Sequence, residues 1–169
     1  MKTLFSEAEI LAKVEELGKI ISNDYKDKEV ILLGVLKGSF LFFADLARSI
    51  HGDIQIQFIQ AESYGSSTQS SGVVKININK NIVFHGKHII IVEDIIDTGL
   101  TLHKIIESIK LQNPLSLSVC SLLIKKNKIN SIDFKLYYGF EIEDYFVIGY
   151  GLDFNEKYRC LRDIKILEN

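Results

Sequence analysis

Apolar residues recur along this chain at the spacing of helices in three segments. The first follows Ser6, which has Glu9 three residues later, the pattern of a capping box. The apolar positions behind this pair predict an amphipathic helix over residues 6–22. The same spacing predicts helices over residues 39–51 and from about Thr101 to residue 111.

Shorter apolar runs between these helices predict strands. EVILLGV (29–35) and HIIIVED (88–94) are continuous apolar runs, typical of strands buried on both faces. Apolar residues alternate with glutamines over residues 54–58, which indicates a half-exposed strand. Further strands are expected at 73–78, 117–124, 134–140 and 145–152. Because strands and helices alternate, we expect one α/β domain over residues 1–169, a mainly parallel twisted sheet flanked by helices.

Composition narrows the class of protein. Hydrophobic residues make up 47% of the chain and charged residues 25%, as in soluble globular proteins. The formal net charge of −2 argues against a non-specific nucleic-acid binder. The apolar runs are shorter than the roughly 20 residues of a membrane span, and MKTLFSEAEIL does not read as a signal peptide, so a cytoplasmic location is expected. Cys120 and Cys160 form no disulfide framework, and Cys120 is expected in the core.

Residues 63–72, SYGSSTQSSG, interrupt the alternation with a polar segment rich in serine and glycine. Such a composition predicts a mobile loop. Tyr64 gains little burial in a polar loop, and a lid that closes over a ligand explains it better.

The segment VEDIIDTGLTL, residues 92–102, carries the clearest chemical signal. Asp97-Thr98-Gly99-Leu100-Thr101 offers backbone N–H groups, hydroxyls and a glycine at the start of a helix, a suitable place for a phosphate. Glu93 and Asp94 would repel that phosphate unless they bind ribose hydroxyls or a magnesium ion. The alternative is a strand end with acidic residues, in which Asp97 simply caps the helix.

VEDIIDTGLTL resembles the phosphoribosyl-pyrophosphate motif of type I phosphoribosyltransferases, in the form found in hypoxanthine–guanine phosphoribosyltransferases. The resemblance runs from about residue 30 to 166. Four further segments follow in the family's order: LKGSFLFFADL, SYGSSTQSSGVVKI, SLLIKK and YFVIGYGLDFNEKYR. It implies the type I fold with a small hood and a flexible lid, magnesium as cofactor, a homodimer or homotetramer, and purine salvage from phosphoribosyl pyrophosphate and a 6-oxopurine.

The resemblance also implies roles for the residues around the phosphoribosyl group. Residues Glu93, Asp94, Asp97, Thr98, Gly99, Leu100 and Thr101 would bind the ribose and its 5-phosphate. Pyrophosphate would contact Lys37, Gly38 and Arg159, and the peptide between Leu36 and Lys37 is often cis in the family. Ser63 and Tyr64 would begin the lid. Magnesium would be bound by Glu93 and Asp94, and a second magnesium by Asp153.

The remaining roles concern the purine. Lys125 would donate to its 6-oxo group, and Phe146 would stack on its ring. Backbone groups of Val147 and Asp153 would bind the rest of its edge, and Asp97 would accept its imidazole proton as general base. Without the resemblance, Lys125 reads as a solvated strand end, Phe146 as a core residue and Arg159 as a surface charge.

Alternative functions fit the same residues less well. A regulatory protein that senses phosphoribosyl pyrophosphate commonly alters the catalytic motif, whereas Asp97 is intact here. Adenine, orotate and uracil transferases are competitors, but Phe146 followed by VIGYGLD favours the 6-oxopurine group. Leu100 stands where some members of the family carry a lysine, and we expect a modest effect on phosphate binding.

Overall fold

The computed structural model describes residues 1–63, 74–79, 81–126 and 133–167. Tyr64 and nearly all of the expected lid therefore lie outside the described residues, and of Ser63 only the backbone is described. Within the described ranges the helices are α1 (Glu7–Asp24), α2 (Phe40–Ser49) and α3 (Leu100–Lys110). The strands are β1 (Lys2–Phe5), β2 (Val30–Leu36), β3 (Ile54–Ser63), β4 (Val74–Asn77), β5 (His88–Ile96), β6 (Ser116–Lys125), β7 (Lys135–Ile142), β8 (Val147–Ile148) and β9 (Ile164–Ile166).

The main sheet has six strands in the order β4-β3-β2-β5-β6-β7. All neighbours are parallel except β3 and β4, which are antiparallel. α1 and α2 pack on one face and α3 on the other, and each face has its own buried apolar cluster. The predicted fold class, a mainly parallel sheet flanked by helices, is confirmed.

α1 shows how local sequence produces this fold. Ser6 Oγ accepts from the Glu9 backbone, and the Glu9 carboxylate accepts from the Ser6 backbone, so the predicted capping box is present. Its buried side chains recur every three or four residues and face the sheet: Ile10, Val14, Leu17 and Ile21. No helix in the described part of the chain is both long and apolar enough to cross a membrane.

Two of the expected boundaries were wrong. β5 continues to Ile96, which pairs with Ile124 of β6, so the strand ends two residues later than the expected end at Asp94. The expected strand over 145–152 is reduced to Val147–Ile148. The chain turns next, because Gly149 and Gly151 have φ of +96° and +101°, values that no regular strand contains.

A smaller antiparallel sheet forms the hood. β9 lies between β1 and β8, so the first residues of the chain pair with residues 164–166. Residues 147–164 form the hood segment, and four of its side chains join the apolar cluster under α1 and α2: Val147, Tyr150, Leu152 and Ile164. The hood is thereby fixed against the end of the main sheet where β5 and β6 terminate.

Candidate active site

A cavity of about 290 Å³ lies where the carboxyl ends of β5 and β6 face the hood. This is the edge of an open α/β sheet at which ligands generally bind. Residues from three separate parts of the chain line it: Asp94, Ile95, Asp97, Lys125, Tyr145, Phe146, Val147, Leu152 and Asp153. The fold therefore brings together all the residues to which the resemblance gave a role toward the purine.

Lys125 is the cation of this cavity. Its side chain is 11% exposed, and its ammonium donates to Asp97 Oδ2 at 2.9 Å and to Asp144 Oδ1 at 2.7 Å. Burial alone would lower the pKa of Lys125, but the hydrogen bonds to Asp144 and Asp97 outweigh it and raise that pKa above its ordinary value. Lys125 is therefore held as a charged donor, and its interpretation as a solvated strand end is wrong.

Phe146 presents an aromatic ring to the same cavity. The residue is 54% exposed, and its ring meets that of Phe154 edge to face with centroids 5.7 Å apart. A phenylalanine of the core would be covered on both faces, so the core interpretation is also wrong. The neighbouring Val147 is buried and fixes the backbone of β8 beside the ring.

A second, smaller cavity of about 120 Å³ follows the turn between β5 and α3. It is lined by residues 98–101 together with Glu93, Asp97 and their neighbours. Gly99 has φ +74°, which lets the backbone turn directly into α3, and within the described residues its cap makes no side-chain hydrogen bond. The first turn of α3 lines this cavity, and the Leu100 N–H reaches Thr98 Oγ1 only at the long distance of 3.5 Å, so the start of the helix suits a phosphate.

The acidic pair before this turn is buried. Glu93 is 8% exposed, and burial, with the neighbouring Asp94 carboxylate, raises its pKa well above the usual range. Burial also raises the pKa of Asp94 to about 6, partly offset by the hydrogen bond that the Ile95 N–H donates to it at 2.9 Å. The Arg159 guanidinium lowers the pKa of Asp94 and Asp153 raises it, so these three side chains share one electrostatic environment.

Two glycines bring the loop after β2 against this site. A Cβ on Gly38 would lie 1.7 Å from Asp94 Oδ2, and one on Gly151 would lie 2.1 Å from the Gly38 carbonyl oxygen. A side chain at Gly151 would collide with backbone, and one at Gly38 would displace the Asp94 carboxylate, so the loop, the strand end and the hood segment are in direct contact. The peptide between Leu36 and Lys37 is cis, and Lys37 reaches outward to Glu156 Oε2 at 3.2 Å.

Arg159 connects the hood segment to the same edge. Its guanidinium donates to the Gly151 carbonyl at 2.8 Å and pairs with Asp153 Oδ1 at 2.9 Å. The side chain is 18% exposed, so its interpretation as a surface charge is wrong. Among the described residues, no group of three carboxylate, histidine or cysteine side chains is arranged to hold a metal by itself.

Some residues of the site were not predicted. Ile95, Tyr145 and Leu152 line the larger cavity, and Asp144 binds its lysine. Asp144 belongs to the acidic run EIED, which by itself looks like a solvated turn. Only its position next to Lys125 in space distinguishes it, and that follows from the pairing of β6 with β7.

Comparisons with known proteins agree with this geometry. Residues 1–155 match the family model described as phosphoribosyl transferase domain. A hypoxanthine-guanine phosphoribosyltransferase of Dictyostelium discoideum is 45% identical over 95% of this chain and 91% of its own length. A hypoxanthine phosphoribosyltransferase of Escherichia coli K12 is 41% identical over 95% and 92%. A crystal structure of a hypoxanthine-guanine phosphoribosyltransferase from Bacillus anthracis superposes with a TM-score of 0.91 at 42% identity, covering 99% of both chains. This chain belongs to the phosphoribosyl transferase family and, within it, to the hypoxanthine–guanine phosphoribosyltransferases.

Proposed function

We propose that this protein transfers the 5-phosphoribosyl group of phosphoribosyl pyrophosphate to hypoxanthine and guanine in purine salvage, giving the nucleoside 5′-monophosphate and pyrophosphate. One observation carries the proposal. A carboxylate, a charged lysine and an exposed aromatic ring line one cavity, beside a strand-to-helix turn that suits a phosphate. These are the groups that a planar base bearing an oxo group and an acidic N–H would need.

In this proposal the purine lies against Phe146. Stacking on an aromatic ring stabilises a bound base by about 1–3 kcal/mol but discriminates poorly among bases. Selection would come from Lys125, whose ammonium donates to the 6-oxo group, which adenine lacks. Backbone groups of Val147 and Asp153 would bind the remaining purine edge.

Asp97 would act as the general base, since its carboxylate is one of the acidic groups that line the purine cavity. The imidazole N–H bond of the purine breaks and its proton passes to Asp97. The electron pair of that nitrogen forms the bond to the ribose carbon, and pyrophosphate leaves with the electrons of the broken C–O bond. The transition state resembles the sugar cation of glycoside cleavage.

The ribose 5-phosphate would bind at residues 97–101, where the N-terminus of α3 faces the smaller cavity. Because burial favours the protonated form of Glu93, we assign Glu93 to the ribose hydroxyls first and to a metal only secondarily. Lys37, the backbone at Gly38 and Arg159 would bind pyrophosphate, since the two cations suit that anion.

Magnesium would be held by Asp94 and Asp153. Both line the larger cavity, and the Asp153 carboxylate raises the pKa of Asp94. Magnesium usually takes only one or two protein carboxylates and completes its shell with substrate oxygens and water, so these two fit it. When bound, it would neutralise charge on the departing pyrophosphate. A lid that begins at Ser63 and Tyr64, a cytoplasmic location and a homodimer or homotetramer belong to the same proposal.

The deciding experiment is an assay of the purified protein with phosphoribosyl pyrophosphate, magnesium and each of hypoxanthine, guanine, xanthine and adenine. We expect nucleotide and pyrophosphate to form from hypoxanthine and guanine, and adenine to be a poor substrate. Turnover of adenine as fast as hypoxanthine would remove the role of Lys125. No turnover with any of the four would favour a sensor of phosphoribosyl pyrophosphate over an enzyme.

A further inference from the structure

Asp144 lies outside the motifs that point to catalysis, yet it binds the lysine of the purine cavity. Its Oδ1 accepts from Lys125 Nζ at 2.7 Å, a shorter distance than the 2.9 Å from Lys125 to Asp97. Asp144 stands in the turn between β7 and β8, directly before Tyr145 and Phe146 of the cavity wall. The ammonium is therefore held by two carboxylates from two different parts of the fold.

We propose that Asp144 is a positioning residue that aims Lys125 at the 6-oxo group of the purine and balances its charge while Asp97 takes up the purine proton. This inference rests on the proposed function. It adds a residue that determines specificity to the base and the lysine named above.

The first argument is geometric. A lysine ammonium has three N–H donors on a flexible stem, and a single partner fixes its direction poorly. In the described structure Asp97 and Asp144 each accept from it, and the third donor remains for an acceptor in the cavity. Because the Lys125 side chain is only 11% exposed, water would replace a lost carboxylate partner of its ammonium incompletely.

The second argument concerns charge. Lys125, Asp97 and Asp144 together carry a formal charge of −1 when both acids are ionised. When Asp97 becomes protonated during the reaction, Asp144 remains as the counter-ion of Lys125. Without Asp144, that step would leave a part-buried ammonium unpaired, which is costly. Removal of the Asp144 carboxylate should therefore slow the reaction of the purine and leave the binding of phosphoribosyl pyrophosphate unchanged.

The test compares Asp144→Asn with Glu143→Gln. Glu143 is the matched control because it is the adjacent acid and pairs at 2.7 Å with Lys126, an exposed lysine outside the cavity. We expect Asp144→Asn to lower kcat/KM for hypoxanthine by about 10-fold or more, the scale of a lost hydrogen bond to a charged group. The dissociation constant of Asp144→Asn for phosphoribosyl pyrophosphate with magnesium should stay within about twofold of the wild type. For Glu143→Gln, both this dissociation constant and kcat/KM for hypoxanthine should stay within about twofold. Asp144→Glu should restore part of the loss.

Two further measurements separate positioning from a merely structural role. In a Lys125→Ala background, Asp144→Asn should have no additional effect, since the residue acts through that lysine. An NMR titration should show a lower pKa for Lys125 in Asp144→Asn and an unchanged one in Glu143→Gln. Equal behaviour of Asp144→Asn and Glu143→Gln, or an undiminished effect without Lys125, would overturn this inference alone. A wild-type protein inactive with every purine would overturn the proposed function, and this inference with it.

Discussion

At the scale of single residues, the ion pair between Asp97 and Lys125 shapes the proposed chemistry. A base must lose its lysine partner, or share it with the ligand, before it can accept a proton from the purine. In the proposed mechanism the second carboxylate, Asp144, would make that exchange easier because Lys125 would keep a counter-ion throughout. The ion pair holds the proposed base and the proposed oxo-binding donor next to each other.

Asp97→Asn keeps the shape of the side chain and removes its ability to accept a proton. We expect turnover to fall by about 10²–10⁴-fold, the usual contribution of an acid–base group. Binding of phosphoribosyl pyrophosphate, measured by calorimetry with magnesium, should change little. Asp133→Asn, at an aspartate with a 97% exposed side chain, is the control for losing one carboxylate. Near-normal turnover of Asp97→Asn would exclude Asp97 as the base.

At the scale of elements, close contact between the β2–α2 loop and β5 determines where Asp94 can lie. Gly38→Ala places a methyl group 1.7 Å from the Asp94 carboxylate, so that carboxylate must move. Displacements of about 1 Å in a site can cost about 10²-fold in activity. We expect KM for phosphoribosyl pyrophosphate to rise at least about tenfold, with a larger loss in kcat/KM.

Gly52→Ala provides the control for this substitution. The φ of +153° at Gly52 disfavours a side chain, but nothing lies within 4 Å of the added Cβ. Gly52→Ala should lower the free energy of unfolding without changing KM or kcat/KM for phosphoribosyl pyrophosphate. If Gly38→Ala bound phosphoribosyl pyrophosphate as tightly as Gly52→Ala does, the contact with Asp94 would have no functional weight.

Another contact between elements joins the end of α1 to β7. Asp24 accepts from Lys135 at 2.6 Å and from the Tyr137 hydroxyl at 2.7 Å, and these bonds, in that order, lower the pKa of Asp24. Since the folded pKa lies below its ordinary value of 3.8, the stabilisation is present above pH 3.8 and is lost as the pH falls through the folded pKa.

We therefore expect Asp24→Asn to lower the free energy of unfolding at pH 7 by about 1 kcal/mol or less, since the pair is partly exposed. Urea unfolding of both proteins as a function of pH measures this. The difference between them should disappear below the folded pKa of Asp24. Glu15→Gln, on the exposed face of the same helix, should change little. A difference that persists at low pH would assign the effect to packing instead of charge.

The elements also show how far sequence alone determines the structure. The capping box at Ser6 and the apolar runs of β2 and β5 depend on neighbouring residues, and the sequence predicted them within one or two residues. β1 was missed because its partner, β9, is about 160 residues away. Asp144 was missed because nothing local distinguishes it from Glu143. The roles at the site came from resemblance, whereas the distances that relate them required the fold.

At the scale of the whole molecule, one sheet separates two apolar cores, and the hood shares one of them. Tyr150 of the hood segment is buried and donates its hydroxyl to Asp45 of α2 at 2.5 Å. Burial and that hydrogen bond raise the pKa of Tyr150 well above its ordinary value, so the donor is retained across the ordinary pH range. The hood and the main sheet should therefore unfold together, as one domain over residues 1–169.

Thermal unfolding tests whether the hood and the main sheet unfold together, and it also tests whether phosphoribosyl pyrophosphate binds. Circular dichroism and tyrosine fluorescence should give one coincident transition, because the two layers share a core. Phosphoribosyl pyrophosphate with magnesium, at 100 times its dissociation constant, should stabilise the protein by about 2.7 kcal/mol. For a chain of this size that raises Tm by about 5–10 °C. EDTA should remove most of the shift if Asp94 and Asp153 hold the ion with the substrate. Two separate transitions would divide the hood from the sheet, whereas a single transition that the ligand leaves unmoved would refute the phosphoribosyl site.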